Sequence, residues 1–290
     1  MRAVTVLATG PQALVQDLGR PGHAHLGVPP SGALDGPALR LANRLVGNAE
    51  SAAGVEVLLG GLRLRADCSC TVAVTGPAVP VTVNGRARDS HAPVPLADGD
   101  VLELGVPDGG LRAYLAVGGG IDVPAELGSR STDVLSGIGP APLRAGAELP
   151  LGEPVTLPGG ADELGPRPVP DELRLPVLLG PRDDWFTDPA AQLAAGSWEV
   201  SPDSNRIGLR LAGSVLARAA AFEGVELPSE PVVTGALQVP ADGRPVVFLA
   251  DHPTTGGYPV IGVVPTAALP ALAQARPGTR VSLFAQYSDS

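Results

Sequence analysis

Glycine and proline cut this chain into short pieces, and that spacing limits the folds open to it. There are 38 Gly and 32 Pro among 290 residues. They fall between short Val- and Leu-rich runs and show no period, which argues against collagen-like and disordered chains. Frequent turns between short apolar runs predict a mainly β fold. Hydrophobic residues make up 44%, enough for a real core, but aromatics only 3%. The core must therefore be built from Val, Leu and Ala. The length suits one large domain or two of ordinary size.

The net charge is −10 and no basic patch is visible, so nucleic acid is a poor partner. Every basic residue is Arg; lysine is absent. That removes Schiff-base chemistry, a P-loop lysine and an acceptor lysine for biotin on this chain. Any anion must be held by Arg, by backbone N–H groups or by a partner, and the planar guanidinium suits carboxylate and phosphate. Cys68 and Cys70 lie two apart in an expected strand, poorly placed to bridge, and read as reduced thiols. No stretch approaches the ~20 apolar residues of a membrane span, and no leader pattern opens the chain, so a cytoplasmic protein with no membrane contact is expected.

Along the chain, Arg2–Ala8 alternates as a first strand. A polar, Gly-rich stretch then runs from Asp17 to Asp35 and gives way to helical spacing at Leu34, Ala38, Leu41 and Leu45, with Pro37 in the first turn and Gly47 beyond the end. Ser31 and Asp35 thus lie at a helix N-terminus, where negative charge is favoured; Asp35 also reads simply as the N-cap. His23 and His25 have no third ligand at metal spacing, so no metal is expected. Short strands follow from Gly54 to Leu104, with Asn84-Gly85 as a two-residue hairpin turn. The apolar run LRAYLAV leads into Gly118–Gly120, which lacks dinucleotide-fingerprint spacing. Leu127–Asp133 packs hydroxyls around Arg130, a composition that suits an oxyanion or a turn. Glu153–Pro170 is the expected linker, dividing 1–165 from 166–290.

The second half echoes the first. Gly10-Pro11 matches Gly180-Pro181, Ser31 with LRLA matches Ser204 with LRLA, and AYLAVGGG matches VFLADHPTTGG. Three matches in one order predict a duplicated β-rich unit, with a cleft between the copies as a place for a ligand. The loop Asp251-His252-Pro253-Thr254-Thr255-Gly256-Gly257-Tyr258 lies between two apolar strands. It reads either as a polar hairpin loop or as reactive groups on a rigid base.

The stretches GRPGHAHLGVPPSGALD, RAYLAVGGGIDVP with LGSRSTD, SNRIGLRL, GALQVPADGRPVV and LADHPTTGGYPVIG resemble the biotin-dependent carboxyltransferase family. That group is also called allophanate hydrolase subunit 2, or the 5-oxoprolinase C subunit, and includes the KipA proteins. The resemblance implies two tandem cyclophilin-like β-barrel units with a few short helices. It implies a partner resembling the 5-oxoprolinase B subunit or allophanate hydrolase subunit 1, and ATP-dependent opening of 5-oxo-L-proline to L-glutamate, with ATP bound together with that partner. Two alternatives go with it. One is a carboxyltransferase moving a carboxyl group from biotin, carried elsewhere, to an amide such as urea. The other is a non-catalytic KipA-like regulator that binds a kinase inhibitor. On this reading Asp251 and His252 are candidate acid–base groups, or hold their loop. The expected substrate-binding set is Arg20, Ser31, Asp35, Ser129, Arg130, Thr132, Ser204, Asn205, Arg206, Thr254, Thr255, Gly256, Gly257 and Tyr258.

Overall fold

A computed structural model describes residues 2–154 and 165–286. Much of the expected linker, 155–164, lies outside the described residues. The chain divides into two compact units. Residues 1–20 and 31–169 form the first; residues 170–290 form the second, together with 21–30.

In the first unit the strands gather into two antiparallel sheets. The six-stranded sheet runs, in spatial order, Glu148–Pro150, Ala3–Thr9, Leu62–Ala66, Val101–Leu104, Val81–Val83 and Arg86–Arg88. The five-stranded sheet runs Gln12–Gln16, Gly54–Leu58, Arg112–Val117, Cys70–Thr75 and Val94–Leu96. Their inward faces share one core, with Val4, Val6, Leu62, Leu64 and Leu102 from one sheet and Val15, Val55, Val57, Val72 and Leu115 from the other. Leu62–Ala66 alternates buried and exposed residues, as a strand with one wet face must. Arg112–Val117 is buried at all six positions. The helix Gly36–Leu45 explains why: Ala38 and Leu39 pack on Tyr114, and Ala42 and Leu45 on Ala73 and Ala116. A strand covered on both faces reads as an unbroken apolar run rather than an alternation.

Local chemistry sets the punctuation where it was expected to. Asp35 caps the helix, its carboxylate accepting the Ala38 N–H at 3.1 Å. Pro37 sits in the first turn, and Gly47 follows the end at φ 75°. Asn84 and Gly85, both at positive φ, close the two-residue turn that pairs Val83 with Arg86.

The second unit is a closed seven-stranded barrel. Its order is Glu172–Leu179, Val260–Val263, Ala236–Gln238, Val246–Phe248, Gly208–Gly213, Trp198–Val200 and Arg280–Gln286. Closure comes from Arg280–Gln286 pairing in parallel with Glu172–Leu179, which leaves no free sheet edge. Trp198 is buried in the barrel, and its indole N–H donates to the Ser214 carbonyl at 2.8 Å. The apolar strands flanking the loop of residues 251–258 are not partners in a hairpin. Ala236–Gln238 lies between them and pairs with both. The loop therefore crosses over a strand, and in doing so Thr255–Gly256 pairs with Glu230–Pro231.

His91, buried in the first unit, has its pKa lowered because burial disfavours the imidazolium. The unfolded chain binds that proton more readily. Stability is therefore lost as pH falls below the ordinary value of ~6.5 towards the depressed folded value. Urea titrations at about pH 7.5 and pH 5.5 are expected to show a smaller pH dependence for His91→Asn than for the wild type; Asn tolerates the positive φ of this position. An equal pH dependence would remove His91 as the cause.

Candidate functional site

In the first unit the candidate residues converge on a carboxylate outside the expected set. Asp17 follows the strand Gln12–Gln16 and is buried. Its Oδ1 accepts the hydroxyls of Ser129 and Ser131, each at 2.6 Å, and the Gly19 N–H at 2.8 Å. Its Oδ2 accepts the Arg130 N–H at 2.6 Å. Four donors for one buried carboxylate replace the water it has lost. The backbone N–H of Asp17 returns a bond to the Ser131 hydroxyl at 3.0 Å.

Ser131 links this carboxylate to Arg20. The Arg20 Nη2 donates to the Ser131 carbonyl, and its Nε donates to the Glu126 carbonyl at 3.3 Å. The side chain is fully buried, and its Nη1 has no hydrogen-bond partner among the described residues. A guanidinium held by two carbonyls, with its third nitrogen buried and unbonded among the described residues, is an unmet donor inside the fold. Beside it, Gln16 donates from Nε2 to the Thr132 carbonyl at 2.8 Å, leaving its own Oε1 without a partner among the described residues. Ser31 donates to the same carbonyl at 3.1 Å. Ser31 is held at φ 52°, a conformation that costs energy in a non-glycine residue. Next to it the backbones pack so closely that a Cβ on Gly32 would lie 2.8 Å from the Gly19 nitrogen. The Thr132 hydroxyl is turned aside to the Pro140 carbonyl.

Asp35 serves this loop rather than facing a ligand as an isolated charge. Its N–H donates to the Tyr114 hydroxyl at 2.8 Å, which in turn donates to Glu56 at 2.8 Å. Glu56 also accepts the Leu34 N–H and lies 3.4 Å from Arg112. Burial, then the neighbouring Glu56 charge, pushes the Tyr114 pKa well up, so the phenol keeps its proton and the network its direction. The Arg130 side chain leaves the cluster, donating to the Val123 carbonyl and to Asp122. The Gly118–Gly120 turn is spent on packing: Gly119 donates to Asn48.

In the second unit, Arg206 and Asp251 meet each other. Arg206 Nε lies 2.9 Å from Asp251 Oδ2 and Nη2 lies 3.0 Å from Oδ1, with both side chains buried. Such a pair anchors the loop of residues 251–258 to the strand Gly208–Gly213 through its preceding turn. His252 is buried beside it, its Nδ1 2.7 Å from the Pro253 carbonyl and its ring stacked on Phe248. Ser204 and Asn205 are turn-makers: the Ser204 hydroxyl accepts the Arg210 N–H, and Asn205 Oδ1 accepts the N–H groups of Ile207 and Gly208. The Thr254 carbonyl accepts the Val232 N–H, Thr255 is exposed, and Gly256 sits where a Cβ would come within 2.4 Å of Gln238. Gly257 and the half-exposed Tyr258 line a groove of about 950 Å³. The sequence signal for Asp17 and Gln16 is slight: a polar pair ending an apolar strand just before Gly19.

The family model for the carboxyltransferase domain, subdomain A and B, matches residues 26–285. The chain belongs to the carboxyltransferase-domain family. It is 38% identical to the C subunit of 5-oxoprolinase from Escherichia coli (strain K12) over 93% of this chain and 86% of that protein. It is 34% identical to the urea amidolyase of Saccharomyces cerevisiae over 96% of this chain but 16% of that protein. The crystal structure of the K. lactis urea amidolyase superposes with a TM-score of 0.90 at 32% identity, covering 97% of this chain and 18% of that one. Carboxyltransferase-domain chains thus occur both as proteins of about this length and as small parts of much larger ones.

Replacing Arg206 by Met leaves Asp251 as a buried charge without its guanidinium and is expected to cost about 3–5 kcal/mol. The double variant Arg206→Met, Asp251→Leu is expected to regain most of that loss, because it removes both charges. Urea unfolding of the wild type and the two variants measures this; a double variant as unstable as the single one would refute the pair's structural role.

Proposed function

We propose that this chain is one subunit of an ATP-dependent 5-oxoprolinase-type complex in the cytoplasm. With a partner of the 5-oxoprolinase B type it opens 5-oxo-L-proline to L-glutamate. The observation that carries this reading is Arg20: a buried guanidinium with an unspent Nη1, which suits a substrate bearing a carboxylate. 5-Oxo-L-proline bears a carboxylate, as does the carboxybiotin of the second reading below, so Arg20 supports an anionic ligand and the choice between the two rests on the match that follows. The match to the C subunit of 5-oxoprolinase over most of both chains supports the same reading. Asp17, Ser129 and Ser131 hold the Arg20 environment in place, and an oxyanion formed on ring opening is stabilised by such fixed donors. ATP is bound with the partner, since this chain has no lysine for its phosphates. Asp251 and His252 act as loop anchors, given the first one's ion pair and the second one's burial.

The second reading is a carboxyltransferase acting on biotin carried elsewhere and on a urea-like amide. The overall superposition on urea amidolyase favours it.

The chain is to be purified with its B-type partner and the remaining oxoprolinase subunit, and ATP hydrolysis measured against 5-oxo-L-proline. Substrate-dependent hydrolysis is expected. Arg20→Gln is expected to raise KM for 5-oxo-L-proline roughly 10- to 100-fold, the worth of a charged hydrogen bond. Absence of 5-oxoproline-dependent hydrolysis, alongside carboxybiotin turnover with urea, would establish the second reading instead.

A further inference from the structure

The groove at Gly257 and Tyr258 lies wholly within the second unit. One wall is the segment after the strand Gly208–Gly213, the other the turn at residues 240–243. Three large apolar side chains stand in it unusually exposed: Val215 at 60%, Val225 at 42% and Tyr258 at 46%. Water-exposed apolar groups gathered in a concave surface mark interaction sites. The walls are preformed. Leu216 donates to the Gly243 carbonyl at 2.9 Å. Arg218 donates to the Val225 carbonyl at 3.0 Å and lies over the Trp185 ring, which itself stacks on Phe222.

The charges around this apolar floor are mainly acidic, three carboxylates to one guanidinium. Glu223, Glu226 and Asp242 are exposed, and no ion pair engages any of them among the described residues. Arg218 keeps its positive charge but is held against the Val225 carbonyl and the Trp185 ring, and the three carboxylates outnumber it. A volume of about 950 Å³ is at the upper end of small-molecule sites. An apolar floor with a charged rim is the anatomy of a protein interface.

We propose that this groove receives a segment of the partner protein that carries an Arg or Lys beside an apolar side chain. The apolar side chain packs on Val215, Val225 and Tyr258, and the cation faces Glu223, Glu226 and Asp242. This rests on reading the chain as one member of a 5-oxoprolinase-type complex, and it names the surface through which that complex forms. Complementary charge of this kind sets partner choice and association rate.

The test uses the full chain and its B-type 5-oxoprolinase partner, with affinity measured by biolayer interferometry at low and high salt. Two variants attack the groove differently: Val225→Asp spoils the apolar floor, and the triple change Glu223→Gln, Glu226→Gln, Asp242→Asn removes the rim charge while keeping side-chain shape. Val106→Asp, an exposed site in the first unit, is the control. At least tenfold weaker pairing is expected for both groove variants, with unchanged melting temperatures and an unaffected control. Only the triple variant is expected to lose the salt dependence. Wild-type affinity in both groove variants would overturn the groove while leaving the oxoprolinase reading intact. No pairing by the wild-type chain would overturn the oxoprolinase reading and the groove with it. A wild-type dimer dissociated by Val225→Asp would make the occupant a second copy and likewise overturn the proposal.

Discussion

A single buried carboxylate organises the first unit's site. Asp17 takes donors from Gly19, Ser129, Arg130 and Ser131, so one side chain binds two loops more than a hundred residues apart in sequence. Left without those donors, a buried carboxylate would cost several kcal/mol; with them, the loops lose their freedom together. The consequence passes outward. With its hydroxyl committed to Asp17, Ser131 presents its carbonyl to Arg20, and Arg20 keeps a buried Nη1 with no hydrogen-bond partner among the described residues. The strained Ser31 and the tight approach at Gly32 are tolerated because this network over-determines them.

The second unit solves a similar problem with an ion pair. Arg206 and Asp251 neutralise each other in the barrel, and each is costly to leave alone there. The pair fixes where the long loop departs; pairing of Thr255–Gly256 with Glu230–Pro231 fixes where it returns. The reactive-looking side chains of that stretch are thereby divided. Asp251 and His252 are drawn inside, and Thr255, Gly257 and Tyr258 are left at the surface.

How much of this was legible depended on the range of the interaction. The Asn84-Gly85 turn, the Asp35 cap and Pro37 in the first helical turn rest on contacts within four residues; residue type alone specifies such geometry. The run LRAYLAV read as an apolar strand; that both its faces are buried, one under a helix, came only from the structure. The site was half legible. Ser129 and Arg20 were read as site residues, and the structure does bring them into one buried polar cluster. Their focus at Asp17 did not show, because an acidic residue before a glycine looks the same whether it caps a turn or gathers four donors. Arg206 and Asp251 each looked like a site residue; that they are partners is a contact across 45 positions that no local pattern encodes.

By itself, then, the order of residues determined a mainly β chain, its turns, its capped ten-residue helix and the absence of lysine chemistry. These follow from backbone preferences and from which side chains exist. Tertiary structure alone decided that the first unit's strands form two sheets around one core while the second unit closes into a barrel. It also decided that the loop of residues 251–258 crosses the Ala236–Gln238 strand, and which charged groups are satisfied and which are left to act. Strand order and charge pairing are non-local. They are set by how whole strands and distant side chains pack together, and that is a property of the folded whole.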